Sequence, residues 1–368
     1  MTYFFCGKLK LKKDDVVILG LILLALINMR VILSILLIKE FDDIKPIARE
    51  MLYSNVWIGT FVFLYSYLND KSNYFKEKIL QISIYSFAGF GLLETINYYF
   101  ELYPRKISKA LDINRISPLS SESSYFVINF VIILSILLYK NKDKKDCMIL
   151  YYFIFQILRT FSTTGFVSVF LIFFIYSIQN IKKTEIYKNF FKISLFILIV
   201  VLLISIKDLR SIKKISFEVV HQVKKVYIYL SDNKKGDYSG ETRRKVKEVF
   251  GKNIFLKEPI FGIGVGGIYR FSKYNRISIE NKINSDAKNV YWTILAEQGM
   301  IGLLYHILFI VFIIYKLKRQ KGNQATGLVT GIIVLLFLFN GYNKIWVQSF
   351  WMYTALVLSN KTALKVEK

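Results

Sequence analysis

Long apolar runs constrain the fold of this chain more than any other feature of its sequence. One run extends from Val16 to Ile38 and another from Phe190 to Ile206. A bilayer core about 30 Å thick requires about 20 apolar residues per helix, a length that these runs meet or approach. Hydrophobic residues make up 54% of the 368 residues, and the mean hydropathy is +0.39. The sequence therefore excludes an ordinary soluble protein and predicts an all-α polytopic membrane protein.

The apolar runs between polar breaks predict ten membrane-spanning helices. They lie at 16–38, 51–68, 79–103, 124–139, 148–161, 164–180, 190–206, 300–316, 325–341 and 345–358. The first span follows four lysines but has no small-residue cleavage site, which predicts a retained signal anchor. A single helix from Met148 to Ile178 would be about 46 Å long. A Ser/Thr-rich break after Arg159 therefore indicates two short helices.

Basic residues in the short loops predict the orientation of these spans. The loops placed inside by a cytoplasmic N-terminus carry 22 Lys and Arg, against 8 in the short outer loops. This asymmetry predicts a multi-pass membrane protein with both termini in the cytoplasm. It also offers an explanation of the net charge of +25 that requires no nucleic acid. With two histidines, and two cysteines that lack ligand spacing, the sequence predicts no metal site.

Three parts of the chain follow from these spans: an N-terminal bundle of seven spans at 1–206, a segment at 207–299, and three spans at 300–368. Residues 207–289 form a long outer loop with 19 basic and 9 acidic residues. Long loops cross the membrane whatever their charge, so orientation does not account for this excess. Two amphipathic helices are predicted within the loop, on the bilayer surface or over a cavity. Their apolar positions are Val219, Val220, Val223, Val226, Tyr227 and Leu230, and then Val246, Val249 and Phe250.

Four polar clusters on the predicted outer side could carry chemistry. In the first, Arg115 precedes Glu122, a carboxylate that could act as a general base held ionised by its partner. Alternatively, Ser121 or Ser123 caps the following helix and Glu122 complements its dipole. In the second, Arg159 could bind a phosphate or extend toward the membrane interface.

The third cluster joins two arginines to a glycine-rich stretch. Arg243 and Arg244 follow Ser239-Gly240-Glu241-Thr242, and the stretch 259–267 reads Pro-Ile-Phe-Gly-Ile-Gly-Val-Gly-Gly. Glycines let backbone N–H groups approach an anion, to which the arginines would add charge. The stretch lacks the Lys-Ser/Thr of a Walker loop, so no nucleotide site is indicated.

The fourth cluster stands at the head of a predicted half-helix that enters the membrane. It contains Lys288 and Asn289, followed by Glu297, Gln298 and a Gly-x-x-Gly pattern. Glu297 and Gln298 would be costly in lipid, so we expect them to face protein or water. Helix capping is the alternative role for the polar residues at the head of this helix.

In their order, these segments resemble the O-antigen polymerase/ligase superfamily. The similar segments are Arg-Ile-Ser-Pro-Leu-Ser-Ser-Glu-Ser-Ser, Phe-Ser-Thr-Thr-Gly, Pro-Ile-Phe-Gly-Ile-Gly, Lys-Asn-Val-Tyr-Trp and Ala-Glu-Gln-Gly-Met-Ile-Gly-Leu, within residues 115–310. The resemblance implies a GT-C-like glycosyltransferase of the bacterial cytoplasmic membrane, with its active site facing outside, that uses polyprenyl-diphosphate-linked oligosaccharides as donor and acceptor. It implies no metal and no cofactor, and the lipid bilayer, a flippase and a chain-length regulator as partners.

The resemblance also implies roles for individual residues. Arg243 or Arg244 matches the loop arginine that binds the diphosphate, and Arg115, Arg159 and Asn289 are further candidates for substrate binding. Lys288 stands where ligases of the superfamily have a histidine base. Lysine is a poor base at neutral pH but a good phosphate ligand. Lys288 is therefore assigned to the diphosphate and the base role to Glu122, with His221 as an alternative.

The resulting hypothesis is a polymerase of capsular polysaccharide, exopolysaccharide or O-antigen. A ligase of the same superfamily and a flippase of lipid-linked oligosaccharide are the alternatives. The lysine in place of the histidine disfavours the ligase. The single dominant outer loop disfavours the flippase, because a transporter would keep its charges along a central cavity.

Overall fold

The computed structural model describes eleven stretches of the chain. They are residues 14–36, 44–100, 108–110, 113–115, 123–140, 144–159, 163–179, 246–275, 287–320, 322–339 and 347–360. The predicted span at 190–206 and the first predicted loop helix at 219–230 lie outside them.

The described residues are almost entirely helical, as predicted. The helices are α1 (Asp15–Ile35), α2 (Ile44–Asn69), α3 (Asn73–Phe100), α4 (Ser123–Tyr139), α5 (Lys144–Arg159), α6 (Thr163–Gln179), α7 (Asn253–Lys257), α8 (Gly267–Tyr274), α9 (Val290–Arg319), α10 (Asn323–Leu338) and α11 (Gln348–Ser359). A π-helical turn at Glu248–Lys252 precedes α7. A short hairpin, which was not predicted, precedes α4. Its strands β1 (Ser108–Ala110) and β2 (Ile113–Arg115) are antiparallel, with Ser108 opposite Arg115.

Every predicted span within the described residues coincides with a helix. The predicted division of 148–180 is present, because α5 ends at Arg159 and α6 begins at Thr163. Two helices, α1 and α9, are long and apolar enough to cross a membrane by length and composition, whereas α4, α6, α10 and α11 are apolar but shorter. The full set of ten spans and their orientation stay predictions.

The compact units of the fold are not consecutive in the chain. One unit contains residues 1–79, 237–325 and 336–368, and the other contains residues 80–236 and 326–335. The predicted division into 1–206, 207–299 and 300–368 follows chain order instead. The packed units differ from this division because α9 contacts α1, and α11 contacts α2, although these helices are far apart in the sequence.

The first unit packs α1, α2, α9 and α11 around an aromatic core. The ring centroids of Phe61, Phe309 and Trp351 lie 5.6–5.9 Å apart, with edge-to-face or tilted geometry. Such aromatic pairs contribute about 0.5–1.5 kcal/mol beyond the area that they bury. The three rings therefore fix how α2, α9 and α11 pack together.

Polar contacts join four helix ends at one end of this unit. The Asp14 side chain caps α1 by accepting a hydrogen bond from Val16 N, and it also accepts one from Tyr65 Oη at 3.1 Å. Asp15 pairs with Lys316 at 2.9 Å. Gln320 donates to the carbonyl of Leu358 at 2.7 Å. The start of α1 thus meets the ends of α2, α9 and α11, so α1 runs antiparallel to the other three helices.

The second unit is built around α4. Along α4 the residues from Phe130 to Leu138 are at most 3% exposed. A helix buried on all sides must be apolar on all sides. Its end is held by an ion pair between Lys140 and Asp146 at 2.8 Å.

Two glycines of α10 allow that helix to approach α4 closely. A Cβ atom on Gly327 would lie 2.7 Å from the carbonyl oxygen of Ser135, and one on Gly331 would lie 3.0 Å from Ile132 Cδ1. Gly327 and Gly331 form a Gly-x-x-x-Gly pattern, which brings helices together in membranes. The sequence reasoning missed this pattern.

The second predicted loop helix packs against protein rather than against the bilayer surface. Val246 and Phe250 are 2% and 0% exposed and belong to an apolar cluster with Ile254, Ile268 and Ala296. Gly251 lies directly against Trp292, because a Cβ atom there would be 2.7 Å from Trp292 Cβ. The apolar face was predicted correctly, but α8 and α9 cover it.

Replacing Gly327 by alanine should destabilise the protein. The added methyl meets backbone atoms that have no freedom to rotate away, and overpacking of this kind costs about 1–3 kcal/mol. Gly89→Ala is the matched control, since Gly89 is also helical, lies in the same unit and has nothing within 4 Å of its Cβ position. It should be neutral or stabilising by up to about 1 kcal/mol. Thermal unfolding in detergent would compare the two, and equal stabilities would contradict the close approach.

Candidate functional site

The glycine-rich loop and a break in α9 pair through their backbones. Ile263 N donates to Ala296 O and Gly264 N to Glu297 O, both at 2.9 Å. In the other direction Met300 N donates to Pro259 O at 2.8 Å, and Ile301 N donates to Ile260 O. We call residues 259–267 and 296–301 together the glycine clamp. It joins two of the segments that carry the resemblance.

Glycine is required at the centre of the clamp. Gly299 interrupts α9 with φ 67° and ψ −168°, and a Cβ atom there would overlap the carbonyl of Ile260. Gly262 also has a positive φ of 67°, and its Cβ would lie 2.5 Å from the carbonyl carbon of Glu297. Other residues rarely adopt this backbone conformation. The two glycines therefore let two backbones pass within hydrogen-bonding distance.

The amides of the loop are committed to the protein. Besides Ile263 N and Gly264 N, Gly262 N donates to Glu258 O, Gly267 N to Gly264 O, and Val265 N to Ser34 Oγ at 2.7 Å. The expectation that the loop N–H groups approach an anion therefore does not hold for these five amides. The glycines serve close packing, since a paired amide offers no hydrogen to a ligand.

Two buried arginines attach the clamp to α1. Arg30 donates to the carbonyl of Phe261 at 2.5 Å, and its guanidinium lies 5.5 Å from the centre of the Phe261 ring. Arg270 donates to the carbonyls of Ser34 and Ile263 at 3.3 and 3.2 Å. The two arginines are 9% and 8% exposed. Sequence reasoning missed both, although Arg30 is the sole charged residue in the run 16–38.

Glu297 and Gln298 meet protein partners, as expected. Glu297 is 6% exposed, and its Oε1 accepts a hydrogen bond from Ile268 N in the first turn of α8. A carboxylate at that end of a helix is stabilised by the helix dipole. Gln298 accepts a hydrogen bond from the hydroxyl of Tyr305, which lies about two helical turns further along α9.

Lys288 and Asn289 stand at the start of α9 with different exposures. Asn289 is 1% exposed, and its side chain caps the helix by accepting a hydrogen bond from Trp292 N at 3.0 Å. Lys288 is exposed and has a positive φ of 54°. The capping alternative thus holds for Asn289, whereas Lys288 presents an exposed cation in a strained backbone conformation.

The remaining predicted site residues fall into two groups. Glu122, Arg243, Arg244 and His221 lie outside the described residues. Arg115 ends β2 and Arg159 ends α5, and for these two the structure describes the backbone. Among the predicted site residues, the structure describes the side chains of Lys288 and Asn289, which are neighbours in the sequence.

The described part of the chain contains no group of three His, Cys, Asp or Glu side chains suited to hold a metal ion. No protein-family model matches the chain, and no curated protein matches its sequence. The residues of the site therefore have to support any functional proposal directly.

Replacing Gly299 by alanine should lower stability by at least about 2 kcal/mol, because both the positive φ and the clash with Ile260 oppose a side chain. Gly59→Ala is the matched control in the same unit, since nothing lies within 4 Å of its Cβ position. That change should be neutral or mildly stabilising. Chemical denaturation in detergent measures both variants, and an undiminished midpoint for Gly299→Ala would contradict the geometry of the clamp.

Proposed function

We propose that this protein is a membrane glycosyltransferase that polymerises polysaccharide from lipid-linked repeat units. The observation that carries the proposal is the glycine clamp. Two segments that resemble the O-antigen polymerase/ligase superfamily, about 35 residues apart in the sequence, pair there through their backbones. They hold the N-terminal part of α9, and Lys288 is exposed just before this helix. The net charge of +10 on residues 207–289 is also suited to an anionic lipid-linked donor.

The proposed reaction transfers a glycan from diphosphate to a sugar hydroxyl. The acceptor hydroxyl attacks the anomeric carbon of the donor, a new glycosidic C–O bond forms, and the bond to the diphosphate breaks. Glu122 takes the proton of the hydroxyl as general base. Arg243, Arg244 and Lys288 stabilise the charge that develops on the departing diphosphate, with Arg115 and Arg159 as further contributors. The reaction needs neither metal nor nucleotide.

Two features of the first unit support an active site at the end that carries the glycine clamp and Lys288. Asp14, Asp15, Lys316 and Gln320 join helix ends at one end, and the glycine clamp contacts the opposite end of α1. If the N-terminus is cytoplasmic, the clamp and Lys288 lie on the outer side. That is the side on which polyprenyl-linked repeat units are proposed to be joined.

Arg243→Ala and Arg244→Ala should each reduce polymer formation by about 10²–10³-fold, since each removes charge from the leaving group. Purified protein in nanodiscs would be given lipid-linked repeat units, and products would be resolved as ladders on gels. Arg319→Ala, on the exposed end of α9, is the control for a general loss of charge. Normal ladders from the double variant would refute the diphosphate assignment, and movement of lipid without new bonds would indicate a flippase.

Lys288→Gly should separate catalysis from folding. Glycine relieves the positive φ of 54° but removes the cation, so stability should change by no more than about 1 kcal/mol. Polymer yield should fall at least about tenfold, while Lys288→Arg should retain most of it. Unfolding curves and ladder assays on the same preparations test this, and a fully active Lys288→Gly variant would assign Lys288 a purely structural role.

A further inference from the structure

Exposed apolar side chains lie together at the end of α7 and at the start of the glycine-rich loop. Leu256, Ile260 and Phe261 are 63%, 57% and 61% exposed, and we call them the loop tip. Exposed large side chains in such a group mark a binding surface or a membrane-facing surface.

The loop tip is continuous with the exposed apolar side of α9. Backbone hydrogen bonds from Met300 and Ile301 to Pro259 and Ile260 hold the loop tip beside the N-terminal part of α9. Met300 and Leu304 are 53% and 57% exposed. The apolar surface therefore extends from the loop tip along a helix that is long and apolar enough to cross a membrane.

A cation lies directly beneath this apolar surface. Arg30 belongs to α1, the other helix that is long and apolar enough to cross a membrane, and the Phe261 ring lies over its guanidinium. The hydrogen bond to Phe261 O uses one of the five N–H donors of an arginine side chain.

The charge of Arg30 has no acidic partner in the part of the chain that the structure describes. The ion pairs there join Lys140 to Asp146 and Lys316 to Asp15. A neutral side chain could donate the same hydrogen bond to Phe261 O. This hydrogen bond therefore does not account for the positive charge of Arg30. An ionisable group within a membrane helix marks a ligand or ion site when its charge is otherwise uncompensated.

We propose that Arg30 and the loop tip form a binding site for a prenyl diphosphate lipid. Arg30 would hold the diphosphate by charge-assisted hydrogen bonds, and the loop tip with Met300 and Leu304 would contact the prenyl chain. This inference rests on the proposed function and deepens it, since it assigns the lipid part of the donor to a site on α1, α9 and the loop. Phe261 would lie between the diphosphate and the prenyl chain, because its ring is over the Arg30 guanidinium and is also part of the loop tip.

Binding to the full chain in nanodiscs tests the proposal, with farnesyl diphosphate, farnesol and inorganic diphosphate as probes in calorimetry. The wild type should bind farnesyl diphosphate more tightly than either of the other probes. Arg30→Gln should weaken farnesyl diphosphate binding about tenfold or more and leave farnesol binding unchanged. Phe261→Ala, which keeps the carbonyl that Arg30 contacts, should weaken farnesyl diphosphate binding more than inorganic diphosphate binding.

Arg319→Gln is the matched control, because Arg319 also lies over an aromatic ring, at 4.6 Å from the Tyr315 centroid, at the other end of α9. It should bind all three probes as the wild type does. Arg30→Lys keeps the charge and should keep most of the binding, so it replaces Arg30→Gln if that variant fails to fold. Equal binding of farnesyl diphosphate by the wild type, Arg30→Gln and Phe261→Ala would overturn the proposal, as would an equal loss in Arg319→Gln.

The binding assay requires no sugar transfer, so it can fail independently of the proposed function. Binding that depends on Arg30 without polymer ladders from the wild type would refute the polymerase and keep the lipid site. Ladders of normal length from Arg30→Gln, together with unchanged binding, would refute the lipid site and keep the polymerase.

Discussion

The backbone pairing between the glycine-rich loop and the break in α9 is the contact on which the rest of the site depends. It uses the amides of Ile263 and Gly264, holds the loop tip beside α9 and places Glu297 at the start of α8. A break in a helix leaves backbone N–H and C=O groups that need partners once they are buried. The loop provides those partners for α9. Glycine is required at Gly299 and Gly262 because any side chain would separate the two backbones.

The clamp also explains why charge is buried near the C-terminal end of α1. Arg270 satisfies carbonyls of Ser34 and Ile263, which a helix end and a tight loop otherwise leave without donors. Arg30 makes one such bond under an aromatic ring, and its charge has no acidic partner among the described residues. The two arginines thus differ: Arg270 completes the packing, and Arg30 places a cation beside the exposed apolar loop tip.

Sequence reasoning worked best where a pattern is local. The helices at the predicted spans, the division between α5 and α6, and the capped start of α9 all follow from hydrophobic runs and polar breaks. It failed where a residue's role depends on a distant partner. The loop glycines were interpreted as an anion cradle because the sequence does not show that Ala296, Glu297 and Ser34 accept their hydrogen bonds.

The sequence by itself determined that this chain is helical, apolar in long runs and strongly basic in one long segment, because periodicity and composition act residue by residue. Only the tertiary structure decided that residues 259–267 pair with 296–301, and that Asn289 is buried while Lys288 is exposed. It also decided that Arg30 lies under Phe261. These arrangements join segments up to 231 residues apart. Packing and backbone hydrogen bonding select such partners, and no local pattern in the sequence encodes them.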